Sequence, residues 1–136
     1  MLTALMQGLA LVSCEDVLGP KGAWSTRGQY SCVTNNVIYG LTCTVCGMVY
    51  IGETKRRLAD RVTEHLRSIR LNTPGLPVAR HFNLANHSSK DVKVSVLRTC
   101  ANERQRKTME ERIIFKLGTF QPLGMNATFR SFKISQ

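Results

Sequence analysis

The chain has 136 residues, a length that suits one compact domain with a modest core better than two domains. Its formal net charge is +10 at pH 7, with 19 lysine and arginine residues against 9 acidic residues. A surface this basic attracts polyanions, of which nucleic acid is the commonest, although a basic protein kept soluble by its charge has the same composition. No segment approaches the roughly 18 consecutive apolar residues that cross a bilayer, so the sequence predicts no membrane partner.

Residues 1–28 show no sustained hydrophobic period, and we interpret them as an N-terminal extension whose order the sequence does not determine. Leu2–Ser13 is apolar, but the first basic residue is Lys21, so the basic start of a secretion signal is missing. The same absence disfavours a secreted or lipidated protein that uses Cys14. An odd number of cysteines, five, in a chain without such a signal argues against a disulfide framework.

Two short strands are predicted next. The runs VIYGLTC and MVYIG follow Asn36 and are rich in β-branched and aromatic residues, and the segment TVCG between them is typical of a turn. The sequence therefore predicts a β-hairpin with Cys43 and Cys46 at its tip.

An amphipathic helix is predicted after the hairpin. Thr54 is a suitable N-cap, and Asn72–Gly75 ends the segment. Between them one helical face recurs at i, i+4, i+7, i+8 and i+11, formed by Leu58, Val62, His65, Leu66 and Ile69.

Two more helices and one strand complete the prediction. Pro77–Phe82 is expected to form a short helix, and Val92–Leu97 alternates as a third strand. Asn102–Leu117 is expected to be a longer helix with Gly118 as its C-cap. The order ββααβα predicts an α/β (α+β) fold, in which helices flank a small three-stranded, mainly antiparallel sheet.

Five side chains on these elements are candidates for chemistry. Tyr39 lies in the first strand, Tyr50 in the second and Glu110 in the last helix. Arg61 and His65 are four positions apart, so they project from the same side of the first helix. Each also has an ordinary structural interpretation: cross-strand packing for the tyrosines, a solvated arginine, a core histidine and a surface glutamate paired with a basic neighbour.

This ordered set resembles the GIY-YIG nuclease family, with Tyr39 ending VIY and Tyr50 beginning YIG. The runs NVIYGLTCTVCGMVYIGETKRRLADRVTEHL, ARHFNLANHSS and TFQPLGMN are similar to the endonuclease domain of Penelope-like retroelements. The chain departs from the family signature at Val37, where the first glycine would be. The resemblance implies an endonuclease domain at 29–132, after the extension at 1–28 and before a tail at 133–136.

The resemblance implies a DNA nickase that hydrolyses phosphodiester bonds with one divalent metal, Mg²⁺ or Mn²⁺, bound by Glu110. Arg61 would donate two hydrogen bonds to the phosphate. Tyr39 would orient or deprotonate the attacking water, and Tyr50 and His65 would bind the phosphate or relay a proton. Asn126 joins the catalytic set as a support of the site.

A catalytically inactive, DNA-binding relic of such a domain is the alternative, and Val37 is compatible with decay. The joint presence of Tyr39, Tyr50, Arg61 and Glu110 argues against it.

A second group of side chains has the composition of a zinc site. Cys43 and Cys46 form a C-x2-C pair, and His81 and His87 are six positions apart; two thiolates and two imidazoles are a common tetrahedral Zn²⁺ set. The Penelope-type resemblance includes a similar Cys/Cys/His/His pattern, and it implies a structural zinc knuckle. Buried cysteines and surface histidines are the alternative, and Cys32 is a spare candidate ligand.

Basic residues cluster on or before the first helix and again on the last helix, where phosphates of DNA would meet charge on both sides of the site. The predicted DNA-binding set is Lys55, Arg56, Arg57, Arg67 and Arg70, and the last helix adds Arg104, Arg106, Lys107, Arg112 and Lys116. DNA is the expected partner, and in a parent element a reverse-transcriptase domain or its RNA template would be another. The sequence does not determine the compartment; in a eukaryote the nucleus is expected.

Overall fold

The computed structural model describes residues 12–26, 31 and 33–127. Along the chain these residues form β1 (Val17–Gly19), β2 (Gly22–Trp24), β3 (Val37–Cys43), β4 (Val49–Thr54), α1 (Leu58–Leu71), α2 (Pro77–His81), a 3₁₀ turn (Ser89–Asp91), β5 (Val92–Thr99) and α3 (Glu103–Leu117). None of the helices in this part of the chain is both long and apolar enough to cross a membrane.

The central sheet is antiparallel and has the strand order β4-β3-β5. Side chains alternate across β3 because successive residues of a strand point to opposite faces. Tyr39 and Leu41 face a core shared with α1 and α2, whereas Ile38 packs on the other side with Ile51 and α3. This arrangement confirms the predicted three-stranded antiparallel sheet flanked by helices.

Helix α1 begins later than predicted. Its N-cap is Arg57, whose backbone is extended and whose side chain caps nothing, so the prediction of Thr54 as N-cap was wrong. Thr54 is the last residue of β4, and its hydroxyl accepts a hydrogen bond from the Arg56 N–H at 3.1 Å. The strand continues this far because Thr54 pairs with Val37 on β3. The helix ends at Asn72 in a left-handed conformation, as the predicted terminating segment required.

The described part of the N-terminal extension packs against the domain. Strands β1 and β2 form an antiparallel hairpin, and Val17 is buried in the core cluster that includes α3. The Ser13 N–H donates to the Val94 carbonyl at 2.8 Å, and the Trp24 indole N–H donates to the Leu97 carbonyl at 2.8 Å. The extension thus covers the outer edge of β5.

Three predictions from the sequence fall on residues that the structure does not describe. These are the boundary between residues 28 and 29, the tail at 133–136 and the spare metal ligand Cys32.

Candidate active site

Tyr39, Tyr50 and His65 form one aromatic cluster on the face of the sheet that α1 covers. The Tyr39 hydroxyl lies 2.7 Å from His65 Nε2, and this hydrogen bond is buried. The Tyr50 ring centroid is 6.4 Å from that of Tyr39 and 5.4 Å from that of His65. Tyr39 is fully buried, whereas Tyr50 is half-buried. The sheet and α1 therefore bring together three of the predicted residues, with Tyr50 nearest to solvent.

Gly52 allows the Tyr39 ring to occupy its place. The two residues are paired across β3 and β4. A Cβ at position 52 would lie 2.5 Å from the Tyr39 hydroxyl oxygen and 2.9 Å from the Tyr50 ring. The sequence showed this glycine only as the end of YIG, and the close approach supplies its physical reason.

Arg61 lies at the solvent side of this cluster. Its guanidinium is half-buried and makes an ion pair with Glu64 at 3.0 Å. Its charge acts on both tyrosines and lowers the pKa of each, although burial has the larger, opposite effect. A phosphate at the cluster would therefore compete with Glu64 for this guanidinium.

Glu110 reaches the same cluster from α3. Its carboxylate is half-buried and makes no hydrogen bond or ion pair with any residue in the described ranges. Burial raises its pKa to about 7, and the neighbouring Glu53 adds to this rise. Its charge also raises the pKa of Tyr50. An unpaired carboxylate of this kind fits a hard divalent cation, for which oxygen is the preferred ligand.

Burial determines the charge states of the inner pair. It raises the pKa of Tyr39 well above the ordinary value, and the proximity of Tyr50 adds to the rise. It lowers the pKa of His65 to about 3. At neutral pH, in the absence of a metal, the pair is therefore a neutral phenol and a neutral imidazole.

Glu53, which the sequence analysis missed, lies on β4 and contacts the turn of α3 that precedes Glu110. Its two carboxylate oxygens accept hydrogen bonds from Arg106 Nε at 2.8 Å and Lys107 Nζ at 3.0 Å. Arg106 also donates to the Asn36 side chain at 2.8 Å, and it is buried. The prediction that Arg106 belongs to a phosphate-binding surface was therefore wrong, because its charge is neutralised in the interior. The only local signal was a glutamate directly after YIG.

The Asn126 side chain supports β4 through hydrogen bonds to its backbone. Its Oδ1 accepts from the Ile51 N–H at 2.9 Å, and its Nδ2 donates to the Ile51 carbonyl at 2.8 Å. The Thr119 hydroxyl donates to the same Oδ1 at 2.7 Å. Ile51 lies between Tyr50 and Gly52, so the amide braces the strand at the site. The Asn126 side chain therefore bonds the Ile51 backbone and Thr119, and its role as a support of the catalytic site stays a prediction.

The predicted Cys/His group is also assembled. The ligand atoms of Cys43, Cys46, His81 and His87 all lie within 4.8 Å of one another. Cys46 Sγ is 3.3 Å from His81 Nε2. The end of β3 supplies the Cys43 thiol and the turn after it the Cys46 thiol, and α2 and the segment after it supply the imidazoles.

The chemistry of this donor set suits a zinc ion. His87 Nδ1 lies 2.9 Å from the Ala85 carbonyl, so it donates there and leaves Nε2 without a proton. That Nε2 is buried and makes no geometric hydrogen bond within the described ranges, but Cys46 interacts with the ring and raises the pKa of His87. A buried nitrogen beside a thiol in this way suits a shared metal ligand set. The residues present therefore fit a Cys₂His₂ zinc centre.

The predicted DNA-binding residues divide into two groups, although all five are exposed. Lys55, Arg56 and Arg57 lie in the connection from β4 to α1, and Arg56 shares the Glu64 carboxylate with Arg61. Helix residues advance by about 100° each, so Arg70 projects from the side of α1 opposite to Arg61. Arg67 projects about 120° around the helix from Arg61. The structure therefore places only the first group beside the site.

The fold can be compared with known structures. The sequence matches no protein-family model and no curated protein. One similar structure is the catalytic domain of homing endonuclease I-TevI, with a TM-score of 0.58 and 20% identity, covering 68% of this chain and 97% of that chain. Another is the catalytic domain of intron endonuclease I-TevI with a glutamate replaced by alanine, with a TM-score of 0.57 and 24% identity, covering 68% and 95%. The chain therefore has the fold of the I-TevI catalytic domain.

Proposed function

We propose that this chain is a metal-dependent DNA endonuclease of the GIY-YIG family that nicks one strand by phosphodiester hydrolysis. One observation carries the proposal: side chains from β3, β4, α1 and α3 gather on the fold of an endonuclease catalytic domain, buried at Tyr39 and His65 and half-exposed at the other three. These side chains are Tyr39, Tyr50, Arg61, His65 and Glu110. With a net charge of +10, the chain has the electrostatics that a DNA substrate requires.

Arg61 binds the scissile phosphate in this proposal. Its guanidinium is half-buried, where charge–charge interactions are stronger than in water, and it can donate two parallel hydrogen bonds to a phosphate. Exchange of Glu64 for the phosphate leaves Glu64 paired with Arg56. Lys55 and Arg57, in the same connection from β4 to α1, then extend the contact along the DNA backbone.

Tyr39 orients the attacking water. Its hydroxyl lies 2.7 Å from His65 Nε2; in the His65 tautomer that this role requires, the hydroxyl donates to Nε2 and its lone pairs accept a proton of the water. The fixed position of this hydroxyl, buried and bonded, aims the water at the phosphorus. Tyr50, nearer to solvent, donates a hydrogen bond to a non-bridging phosphate oxygen.

Glu110 holds the catalytic metal, Mg²⁺ or Mn²⁺. The metal, when bound, supplies positive charge that stabilises the developing phosphorane and the leaving oxygen. Among the residues the structure describes, nothing bonds the Glu110 carboxylate, and burial makes it costly to ionise without a cation beside it.

A plasmid-nicking assay tests the proposal. We expect the purified chain to convert supercoiled plasmid to the nicked form in Mg²⁺ or Mn²⁺, and not in a buffer without either. Arg61→Ala and Glu110→Ala should each lower the rate by roughly 100-fold, the scale for loss of one charge-stabilising group.

Arg80→Ala and Glu111→Ala are matched controls, since both residues are exposed and belong to neither predicted set. Activity in the absence of any divalent metal would contradict the mechanism. Metal-independent DNA binding without nicking would favour the inactive relic.

We further infer that Cys43, Cys46, His81 and His87 bind one structural Zn²⁺. A closed set of four protein ligands leaves no position for water, so the ion ties the β3–β4 turn to α2 instead of taking part in hydrolysis. Elemental analysis should give one zinc per chain. Cys43→Ser should lower both the zinc content and the melting temperature, because zinc binding contributes several kcal/mol to folding. Cys14→Ser, an exposed thiol outside the group, is the control.

The Cys/His group and the quoted sequence runs also support descent from a Penelope-like retroelement. A reverse-transcriptase coding region joined to this chain in its genome would support this origin. Genomic copies that all lack such a region would contradict it.

A further inference from the structure

We propose that Glu53 is a positioning residue for Glu110: the buried Glu53–Arg106 pair fixes the turn of α3 from which Glu110 reaches the metal. The inference rests on the proposed function, because it concerns the same metal. It concerns, however, a residue outside the GIY-YIG motif and the five-residue cluster.

The pair is a strong local contact between β4 and α3. Arg106 Nε is 2.8 Å from Glu53 Oε1, and the exposed fractions of the two side chains are 6% and 16%. Two charges this well shielded from water are retained only when they are paired and hydrogen-bonded. Arg106 uses a further N–H on the Asn36 side chain, so two polar groups hold this position of the helix.

The Glu53 contact with α3 also fixes the position of Glu110, because the helix residues that Glu53 contacts lie on the same side of α3 as Glu110. Arg106 and Glu110 are four positions apart in α3, and Lys107 and Glu110 are three apart, so all lie on one side of the helix. Glu53 bonds both Arg106 and Lys107, and therefore constrains both the depth and the rotation of the turn before Glu110. The charge of Glu53 also adds to the rise in the pKa of Glu110, for which burial is the larger cause.

Glu53 itself is not expected to bind the metal. Both of its oxygens are hydrogen-bonded to cationic groups, whereas the Glu110 carboxylate has no such partner within the described ranges. The arrangement matches a metal ligand held in place by residues that do not touch the metal, whose loss commonly weakens metal binding by about 10- to 100-fold.

Binding of Mn²⁺ to the full chain without DNA tests the inference separately from cleavage. Free Mn²⁺ is measured by its electron paramagnetic resonance signal, and the site is identified as the binding that Glu110→Gln removes. We expect Glu53→Gln to raise the Kd for Mn²⁺ by about tenfold or more and to raise the Mg²⁺ concentration for half-maximal nicking to a similar extent. Glu15→Gln, which removes an exposed carboxylate paired with Lys93, should leave both values unchanged.

A second variant separates position from charge and from folding. Glu53→Gln leaves a buried guanidinium without its partner and can unfold the domain, whereas Glu53→Gln/Arg106→Gln removes both charges together. If positioning is the role, the double variant also raises the Kd for Mn²⁺, measured at a temperature below its melting temperature, where the chain is folded. A Kd within twofold of wild type in the double variant overturns the inference.

The outcomes distinguish this inference from the proposed function. Mn²⁺ binding that depends on Glu110 and weakens in both variants supports the positioning role even if no DNA is nicked. If Glu110→Gln leaves Mn²⁺ binding unchanged, the metal does not bind at Glu110 and both proposals fail.

Discussion

Replacement of Gly52 by alanine tests the geometry of the aromatic cluster. The new Cβ would lie 2.5 Å from both Cζ and the hydroxyl oxygen of Tyr39, where ordinary contact is 3.4–4 Å. The Tyr39 ring must therefore move by about 1 Å. Since Tyr39 is fully buried, the ring can move only by displacing its neighbours, and its hydrogen bond to His65 is strained or lost.

The expected loss of stability follows from these two effects. Overpacking of a closed core costs about 1–3 kcal/mol, and a buried hydroxyl or imidazole without its partner costs about 1–3 kcal/mol more. We expect Gly52→Ala to lower the free energy of unfolding by about 2–6 kcal/mol, against a total of about 5–15 kcal/mol for a domain of ordinary stability. A displacement of about 1 Å at the water-orienting hydroxyl should also lower the nicking rate by roughly 100-fold.

Urea denaturation followed by circular dichroism measures the first effect, and plasmid nicking measures the second. Gly40→Ala is the matched control on β3, because its Cβ would meet the flexible end of the Leu97 side chain at 3.1 Å, which can give way. An unfolding midpoint for Gly52→Ala equal to that of wild type or of Gly40→Ala would refute the reasoning, whatever the activity.

Three further substitutions probe other contacts. Burial raises the pKa of Glu110 from 4.5 to about 7 on folding, so ionisation of Glu110 lowers the free energy of unfolding as the pH rises from 4.5 through 7. In buffer without Mg²⁺ or Mn²⁺, we expect the stability of Glu110→Gln relative to wild type to increase by about 2–3 kcal/mol between pH 5 and pH 8. A stability difference that does not change with pH would count against the shift. Trp24→Phe removes the indole hydrogen bond to the Leu97 carbonyl and should lower the free energy of unfolding by about 1 kcal/mol; an unchanged urea midpoint would mean that the extension does not stabilise β5. Asn126→Asp replaces the donor to the Ile51 carbonyl by an oxygen and should cost about 2–3 kcal/mol, which a melting curve near that of wild type would contradict.

Much of the fold could be predicted from the sequence, because the signals are local. The β-branched and aromatic runs VIYGLTC and MVYIG and the alternation in VKVSVL predict the three central strands. The recurrence of Leu58, Val62 and Ile69 predicts the buried face of α1. The C-x2-C and His-x5-His spacings likewise identified the four side chains whose ligand atoms meet. Period and spacing are properties of neighbouring residues, so no tertiary contact is needed to read them.

Other features were decided by tertiary structure alone. A charged residue in a helix, such as Arg106, is expected at the surface. Only its contact with Glu53, which is 53 positions away, makes it an interior charge. The role of Asn126 depends on its hydrogen bonds to the backbone of Ile51, 75 positions away. The hairpin before Ser25 packs against α3 and β5. A buried charge or amide is stable only when a distant partner satisfies it, and the identity of that partner depends on how the whole chain packs.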